Sequence, residues 1–384
     1  MDINPTDEQR LLRDSVERFV ADTYTADLRR RNAGEPAGFS ADTWRRFADL
    51  GWLALPIDPA HGGLGGGAVE TGIVMEAFGR GLVSEPYLAT VILGAGLVAA
   101  CGSETQKQAI LPEVAAGKLH LAFAHSERAA RFDLATVETL ARRTPEGWRI
   151  DGHKIAVLDG RAAGRIIVSA RLAEEDGRPL ALFLVAPNAA GLTMRDYPRL
   201  GGGGACNIDL ADVRLAPDAH LGEVDPSPDS LEAIETVVDR ALAALGAEAV
   251  GMMQAVLDRT LDYVKTRQQF GRPLAANQVV RHRLVDMSVR CEEARSMALR
   301  AALMASAAPR DRSRAASGAK AKIGKCAQFV AEQAVQLHGA MGVTEELDIG
   351  AYFKRLLAFE TLFGGSSHHY RRHAALGRAA GATG

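Results

Sequence analysis

The 384-residue sequence predicts an α+β protein with an N-terminal helical domain (residues 1–120), a middle antiparallel β-barrel (121–228) and a C-terminal four-helix bundle (229–384). Three observations carry this reading. Apolar residues recur at helical spacing through the first third. Beyond Leu119 the texture changes to short runs of Val, Ile, Leu and aromatic residues separated by Gly, Pro and Asp. After the turn-rich EVDPSPDS segment, from Glu223 to Ser230, long amphipathic stretches follow one another through short connections, as in an antiparallel bundle.

The bulk numbers agree with a chain of several packed units. A length of 384 residues exceeds one ordinary core and suits two or three. Apolar residues make up 47% and charged residues 24%, and 45 Lys plus Arg against 47 Asp plus Glu leave a net charge of -2. That balance gives no reason to expect nucleic acid or an anionic membrane, so any anion site is local. The four cysteines, Cys101, Cys206, Cys291 and Cys326, are far apart and form no C-x-x-C pair, which points to neither a disulfide framework nor a zinc ribbon. A reducing, cytoplasmic location is the expectation, because the N-terminus MDINPTDEQR carries acids where a secretory signal carries basic residues and an apolar run. The uncharged stretch PYLATVILGAGLVAACGS from Pro86 approaches membrane-spanning length. Its glycines, threonine and proline, and its lone occurrence, argue for a buried helix.

Taken in order, the first helix begins with Thr6 as N-cap and Gln9 as its capping-box partner, followed by Leu12, Val16, Phe19 and Val20 at helical spacing. A second helix carries Trp44, Phe47 and Leu50 and ends at Gly51. The HGGLGGG loop from His61 lacks the G-x-x-x-x-G-K-[ST] pattern and a strand–turn–helix context, so it reads as a flexible turn. Strand-like runs then follow: LHLAFAHSER, WRIDGHKIAV, RIIVSARL, LALFLVAP, GLTMRDYP and CNIDLADVRLAP. No helix of crossover length separates them and no G-x-G-x-x-G follows any of them, which excludes a dinucleotide-binding βαβ unit and makes the GGGG run at Gly201 a loop. In the last third, Ile234, Val237, Val238, Ala241 and Leu245 lead into Met253, Val256, Leu257, Leu261 and Val264. Further helical pieces run from about Asn277 to Ala305 and from about Ser313 to Gly339.

Two polar segments of the bundle carry candidate chemistry. In YVKTRQQFGRPLAANQVVRHRLVDM from Tyr263, a helix bearing Lys265 and Arg267 breaks at Gly271 and Pro273 and restarts near Asn277. Arg267 is a bidentate donor for phosphate and Phe270 an apolar face for a ring. Cations complementing a helix C-terminus explain the charges equally well, though not the Phe-Gly-Arg-Pro cluster. In QLHGAMGVTEE from Gln336, an amide and two glycines gather at a helix end, where a C-cap alone needs one glycine.

TRQQFGRP, Gln278 eleven residues after Arg267, QLHGAMG, LADVRLAPDAHLG and the helix–β–helix order together resemble the acyl-CoA dehydrogenase family of flavoproteins over essentially the whole chain. The resemblance implies FAD between barrel and bundle, with part of a neighbouring subunit of a dimer or tetramer closing the site. Arg267, Phe270 and Gln278 are then expected to contact the flavin's diphosphate and adenosine across a subunit interface. Gln336, Gly339 and Ala340 approach the adenosine side, and Ser366 and Ser367 match the hydroxyl positions after the catalytic loop. Asp239 and Gly365 are the expected substrate contacts, acyl-CoA the substrate, and an electron-transferring flavoprotein the redox partner. The family reaction removes an α-proton from the thioester while a β-hydride passes to the flavin.

The family's base is a glutamate in an aromatic-Glu-Gly-Thr loop, and the matching residues here are Phe363, Gly364, Gly365 and Ser366. Gly364 therefore stands at the base position with only its N–H, which in the family helps bind the thioester oxygen. The alternative base position on the bundle's first helix matches Ala241, and a family arginine matches Leu242. In the middle domain, SERAARFD from Ser126 replaces a Pro- and Gly-containing motif, and Ala156, Val157 and Leu158 stand at the flavin ring. Three explanations remain open. The chain is the base-lacking partner of a homologous subunit whose glutamate is intact, as its likeness to the small subunit of pimeloyl-CoA-type dehydrogenases suggests. Alternatively a displaced group serves, with Glu360, His368 and His369 as candidates. In the third, the reaction needs no α-proton base, as in breakdown of an activated substituent. A glutamate installed at Gly364 is expected to raise activity if the remaining geometry is intact. No metal is expected at His368, His369 and His373, since no Asp/Glu set accompanies them.

Overall fold

The computed structural model describes residues 4–35, 37–174, 177, 179–223, 229–269, 271–344 and 347–378. Helices α1 (Asp7–Thr23), α2 (Ala26–Gly34), α3 (Ala41–Asp49) and α4 (Ala68–Gly81) open the chain, and a π-helical stretch Leu88–Ala95 runs into α5 (Gly96–Cys101) and α6 (Glu104–Ala115). Strands β1 (Leu121–Ala124), β2 (Leu140–Thr144), β3 (Gly147–Leu158), β4 (Arg165–Leu172), β5 (Leu180–Val185), β6 (Leu192–Pro198) and β7 (Gly204–Leu215) follow. After α7 (Leu231–Thr266), the two-residue strands β8 (Gln268–Gln269) and β9 (Arg272–Pro273) form a small hairpin before α8 (Gln278–Leu303), α9 (Pro309–His338), α10 (Ile349–Thr361) and α11 (Ser366–Arg378).

The start signals act as expected. Thr6 accepts from the Gln9 backbone N–H while the Gln9 side chain accepts from the Thr6 N–H, a complete capping box. The apolar stretch after Pro86 is a buried helix, with every residue from Ala89 to Ala95 inside. Among the described residues one helix, Leu231–Thr266, is long and apolar enough to cross a bilayer. Inside the protein 89% of its apolar window is buried, as befits a core helix.

Two compact units divide the chain. One contains Asn32–Gly67 and Ser84–Ala241 and holds the sheet. Its strand order is β1-β4-β2-β3-β7-β6, with β5 also paired to β4. The β2–β3, β3–β7, β4–β5 and β6–β7 pairs are antiparallel, as the alternating runs predict. The β1–β4 and β2–β4 pairs are parallel. β2 itself, LARRT, is too polar to stand out as a strand in the sequence, and the parallel pairing of both β1 and β2 to β4 makes the sheet mixed. Trp148, Ile150, Val168, Phe183 and Ile208 fill the interior of this sheet.

The other unit contains Met1–Arg31, Ala68–Val83 and Leu242–Gly384. Its central helix is α9, packed against α8, α10 and α11. Small residues on α9, among them Ala316, Ala319, Ala321, Gly324, Ala327 and Ala331, are buried and let its neighbours approach. α4 and α7 come closer still. A Cβ on Gly251 would stand 1.8 Å from the Glu76 carbonyl oxygen, and one on Gly79 would stand 2.0 Å from the Glu248 carbonyl oxygen. The two glycines let the helix backbones touch where a methyl group has no room. Gly251→Ala is therefore expected to destabilise the fold by about 1–3 kcal/mol, the usual range for overpacking. Thermal melting of the variant should show a transition several degrees lower, and an unchanged melt would contradict this packing.

Candidate active site

Helix α10 stops at Thr361 and α11 starts at Ser366, so Leu362, Phe363, Gly364 and Gly365 form the loop between them. Phe363 has φ 53° and Gly364 φ 106°. The second value is one that L side chains rarely adopt. A Cβ on Gly364 would also lie 2.7 Å from His368 Cδ2 and 3.2 Å from His369 Nε2. The imidazole of His368 thus stands where a side chain at position 364 would begin. The condition attached to a glutamate installed there, that the remaining geometry accept it, therefore includes both backbone strain and movement of the His368 ring.

A buried lysine anchors the loop. Lys320, on α9, is fully buried. Its Nζ donates to the carbonyls of Phe359 at 2.7 Å, Gly364 at 2.9 Å and Glu360 at 3.4 Å, and lies 4.2 Å from the Phe359 ring centroid. Three carbonyls satisfy its three N–H groups, two of them in the last turn of α10, where a cation complements the helix end. Burial pushes the Lys320 pKa down to about 8, with the Glu360 carboxylate opposing that shift.

Glu360 itself faces the start of α11. Its Oε1 accepts from the Ser366 backbone N–H at 2.6 Å and its Oε2 lies 2.9 Å from Ser366 Oγ, which is also 3.2 Å from the Ala321 carbonyl. Gly324 makes room for this pair, since a Cβ there would stand 2.2 Å from Glu360 Oε2. The structure places Glu360, the residue expected as a substitute base, with both oxygens on a helix N-terminus, where a carboxylate complements the dipole. Its neighbour Arg355 pairs with Glu248 at 2.6 Å rather than with Glu360.

His369, on α11, is buried, and its Nε2 lies 3.0 Å from the Phe363 carbonyl. A carbonyl only accepts, so Nε2 carries the proton and Nδ1 presents a bare lone pair. That Nδ1 is buried without a hydrogen-bond partner. Burial first, then the nearby charge of Lys320, pushes the His369 pKa down to about 3. The ring is therefore a neutral donor, too weakly basic to take a proton from carbon near neutral pH. His373 Nδ1 donates to the Arg314 carbonyl at 2.9 Å. Among the described residues, no three metal-ligating side chains converge, there or elsewhere.

A second cluster lies at one end of the helical unit. Arg267 leaves α7 just before the β8–β9 hairpin, and Gln278 begins α8; both are exposed. Tyr263, one turn before Arg267, stacks on His338 with ring centroids 4.3 Å apart, and its hydroxyl donates to the His338 carbonyl at 3.4 Å. This contact brings the 263–278 segment to Gln336, Gly339 and Ala340, which are exposed as well. Gly339 has φ 61°, and a Cβ there would meet nothing within 4 Å. Among the described residues the Arg267 guanidinium has no ion-pair partner. A free guanidinium, two open amides and an unobstructed glycine form a donor set that fits a diphosphate with an attached adenosine. Phe270 lies outside the described residues.

Ser367 is exposed and Gly365 half-buried, while Ser366 is buried in the Glu360 pair. Asp239 belongs to the other unit and is buried on α7. That unit also holds a network the motif reading missed. Lys154 is fully buried and its Nζ donates to Glu127 Oε1 at 2.6 Å, Ser169 Oγ at 3.0 Å and the His125 carbonyl at 3.3 Å. With the Ile155 N–H on the Ser126 carbonyl at 2.8 Å, these bonds tie Ser126 to the strand carrying Ala156, Val157 and Leu158. Ala156 has φ 54°, an irregularity that sequence periodicity does not reveal.

A helical unit with an exposed arginine, two amides and an open glycine near one end, together with a mixed β-sheet unit, suits a protein that binds a nucleotide cofactor. Family models for the acyl-CoA dehydrogenase N-terminal, middle and C-terminal domains match residues 6–118, 122–213 and 231–375. The chain belongs to the acyl-CoA dehydrogenase family. It is 30% identical over 356 residues to the probable acyl-CoA dehydrogenase YngJ of Bacillus subtilis, covering 91% of this chain and 92% of that one. It is 28% identical over 377 residues to the 3-sulfinopropanoyl-CoA desulfinase of Paraburkholderia xenovorans, covering 96% and 95%. Among solved structures, a variant of the Tcur3481-Tcur3483 steroid ACAD is similar with TM-score 0.87 and 28% identity over 98% of this chain and 99% of that one. The ChsE4-ChsE5 complex from Mycobacterium tuberculosis follows with TM-score 0.85 and 26% identity over 98% of each. The FAD complex of PigA shares the fold with TM-score 0.89 at 24% identity, over 100% of both chains.

The buried neutral state of His369 has a consequence for acid stability. Its folded pKa of about 3 lies below the ordinary 6.5. The unfolded chain binds the extra proton between those values, so this contribution to stability is lost as pH falls from about 6.5 toward 3, at about 1.4 kcal/mol per pKa unit. His369→Phe should therefore lose stability less steeply than the wild type over that window, as read by melting temperature against pH. Parallel curves would contradict the assignment.

Proposed function

We propose that this chain is a subunit of an FAD-dependent acyl-CoA dehydrogenase-type oxidoreductase, acting on an acyl-CoA thioester beside a homologous chain whose glutamate is intact, with an electron-transferring flavoprotein as acceptor. The observation that carries the reading is Gly364: the family frame surrounds it, yet it holds no carboxylate, and His368 fills the direction a side chain would take. Two similar structures are of two-component assemblies, Tcur3481-Tcur3483 and ChsE4-ChsE5. Their two-component make-up supports a mixed oligomer; a small subunit of the pimeloyl-CoA type, working in the cytoplasm, is part of the same proposal.

In this reading Arg267 binds the diphosphate, Gln278 binds toward the adenosine, and Gln336, Gly339 and Ala340 line the adenosine side. When bound, FAD supplies a hydride acceptor for the β-carbon. The chain's own residues orient the cofactor and thioester, while α-proton removal falls to a partner's carboxylate. Absence of such a base costs about 10²–10⁴-fold, so this chain alone is slow in dehydrogenation. A second reading, a reaction that expels an activated substituent and needs no α-proton base, is favoured by the likeness to a desulfinase across 96% of the chain.

The chain purified alone, and co-purified with a homologous glutamate-bearing chain, should differ when acyl-CoAs are added anaerobically. Bleaching of bound flavin is expected only in the mixed preparation. Full bleaching of the chain alone by saturated acyl-CoAs would overturn the mixed-oligomer reading, and failure of the flavin-bound chain to release sulfite from a β-sulfinyl thioester would overturn the second. Arg267→Ala should weaken FAD binding about 10–100-fold, the loss of charge-assisted hydrogen bonds to phosphate. Fluorescence titration with FAD measures this, and unchanged affinity would remove Arg267 from the site.

A further inference from the structure

Helices α1, α2, α4, α7 and α10 of the helical unit enclose a cavity of about 380 Å³, and none of its lining residues belongs to the 362–365 loop or to the Arg267 cluster. The volume lies within the range of small-molecule pockets, roughly 300–1,000 Å³. Its buried lining is apolar and aromatic, made of Val20, Tyr24, Ala77, Leu82 and Tyr352. Leu82 sits at φ 53° just past the end of α4, where a left-handed residue is usually glycine. A branched side chain is thus kept in the cavity at a cost in backbone strain.

The charged lining is three arginines and four acids. Most of these charges are already matched. Arg80 Nη2 lies 3.1 Å from Asp258 Oδ2, and the Gln254 amide donates to the other Asp258 oxygen at 2.9 Å. Arg29 Nη2 donates to Asp348 Oδ1, and Glu17 stands exposed 3.8 Å from Arg13. Two charges are left over. Arg259 Nη1 is 3.9 Å from Asp348 Oδ2, too far for a hydrogen bond, and its Nη2 is 3.5 Å from the Tyr352 hydroxyl, whose proton goes to the Arg80 carbonyl. Asp262 is exposed, and among the described residues its carboxylate has no hydrogen-bond or ion-pair partner. The two residues are three positions apart on α7, a spacing at which opposite charges ordinarily pair with each other. Here they stay apart, and both line the cavity.

We propose that this cavity binds a small zwitterion of the amino-acid class, its carboxylate accepting from the Arg259 guanidinium, its ammonium donating to the Asp262 carboxylate, and its apolar side chain packing on Val20, Ala77 and Leu82. An anion alone leaves Asp262 without a counter-charge, and a cation alone leaves Arg259 without one. A ligand with both charges on one carbon satisfies the pair together. Guanidinium–carboxylate hydrogen bonds are among the stronger polar contacts, and the buried lining adds the gain from removing an aliphatic group from water. The site uses no residue of the proposed cofactor or acyl-CoA machinery, so it stands or falls separately from the function proposed above.

Isothermal titration of the full chain, with flavin and any partner subunit retained, compares leucine with two analogues that each lack one of its charges, 4-methylpentanoate and 3-methylbutylamine. Leucine is expected to bind, and each analogue to bind about 10–100-fold more weakly, the loss of one charge-assisted contact. Arg259→Gln should weaken leucine by a similar factor while the amine binds no more weakly than before. Asp262→Asn should weaken leucine while 4-methylpentanoate binds no more weakly. Such a crossed pattern does not arise from a general loss of structure, and both side chains reach solvent, so the variants should melt as the wild type does. Absence of binding by both leucine and phenylalanine overturns the proposal. So does an analogue that binds as tightly as leucine, which makes the cavity a site for one charge only, or full leucine affinity in both variants.

Discussion

The hold of one buried ammonium on three carbonyls organises the helical unit's functional end. Lys320 reaches from α9 to Phe359 and Glu360 in the last turn of α10 and to Gly364 in the loop beyond. Removing a charge from water costs several kcal/mol unless its hydrogen bonds are replaced, and here all three donors find acceptors. One side chain thus ends a helix, sets a loop and fixes where α11 begins. Glu360 completes the corner by capping Ser366, and Gly324 supplies the space for both.

Around that corner the loop is shaped for backbone rather than side-chain chemistry. Positive φ at Phe363 and Gly364 turns the chain tightly, and His368 and His369 crowd the α-carbon of Gly364. Strain of this kind persists only where surrounding structure over-determines it. A side chain at position 364 meets the His368 ring, while the Phe363 and Gly364 carbonyls are anchored by His369 and Lys320.

Much of the architecture was legible in the sequence because it rests on local rules. Thr6 and Gln9 signal the first helix through mutual capping, and the long helical pieces after Ser230 follow from their 3.6-residue period. Arg267, Gln278 and Gln336 were singled out by motif, and the Tyr263–His338 stack, which joins the helix ends that precede Arg267 and follow Gln336, belongs to the tertiary structure. The polar strand LARRT was not legible, since its place depends on pairing to β3 and β4 rather than on its own alternation. Nor were Lys320 and Lys154, which read as ordinary helix and strand cations until tertiary packing buries them beside carbonyls and a carboxylate.

By itself, then, the sequence determined the order of helices, strands and bundle, the family, and the absence of a carboxylate at position 364, because period, capping and motif spacing are properties of neighbouring residues. Only the tertiary structure decided what Glu360, His368, His369 and Lys320 do. Glu360 is 40 residues from Lys320 in the chain yet beside it in space, and whether an acid caps a helix or serves as a base depends on such long-range contacts. Burial and hydrogen-bond partners assign those roles, and neither is written in local sequence.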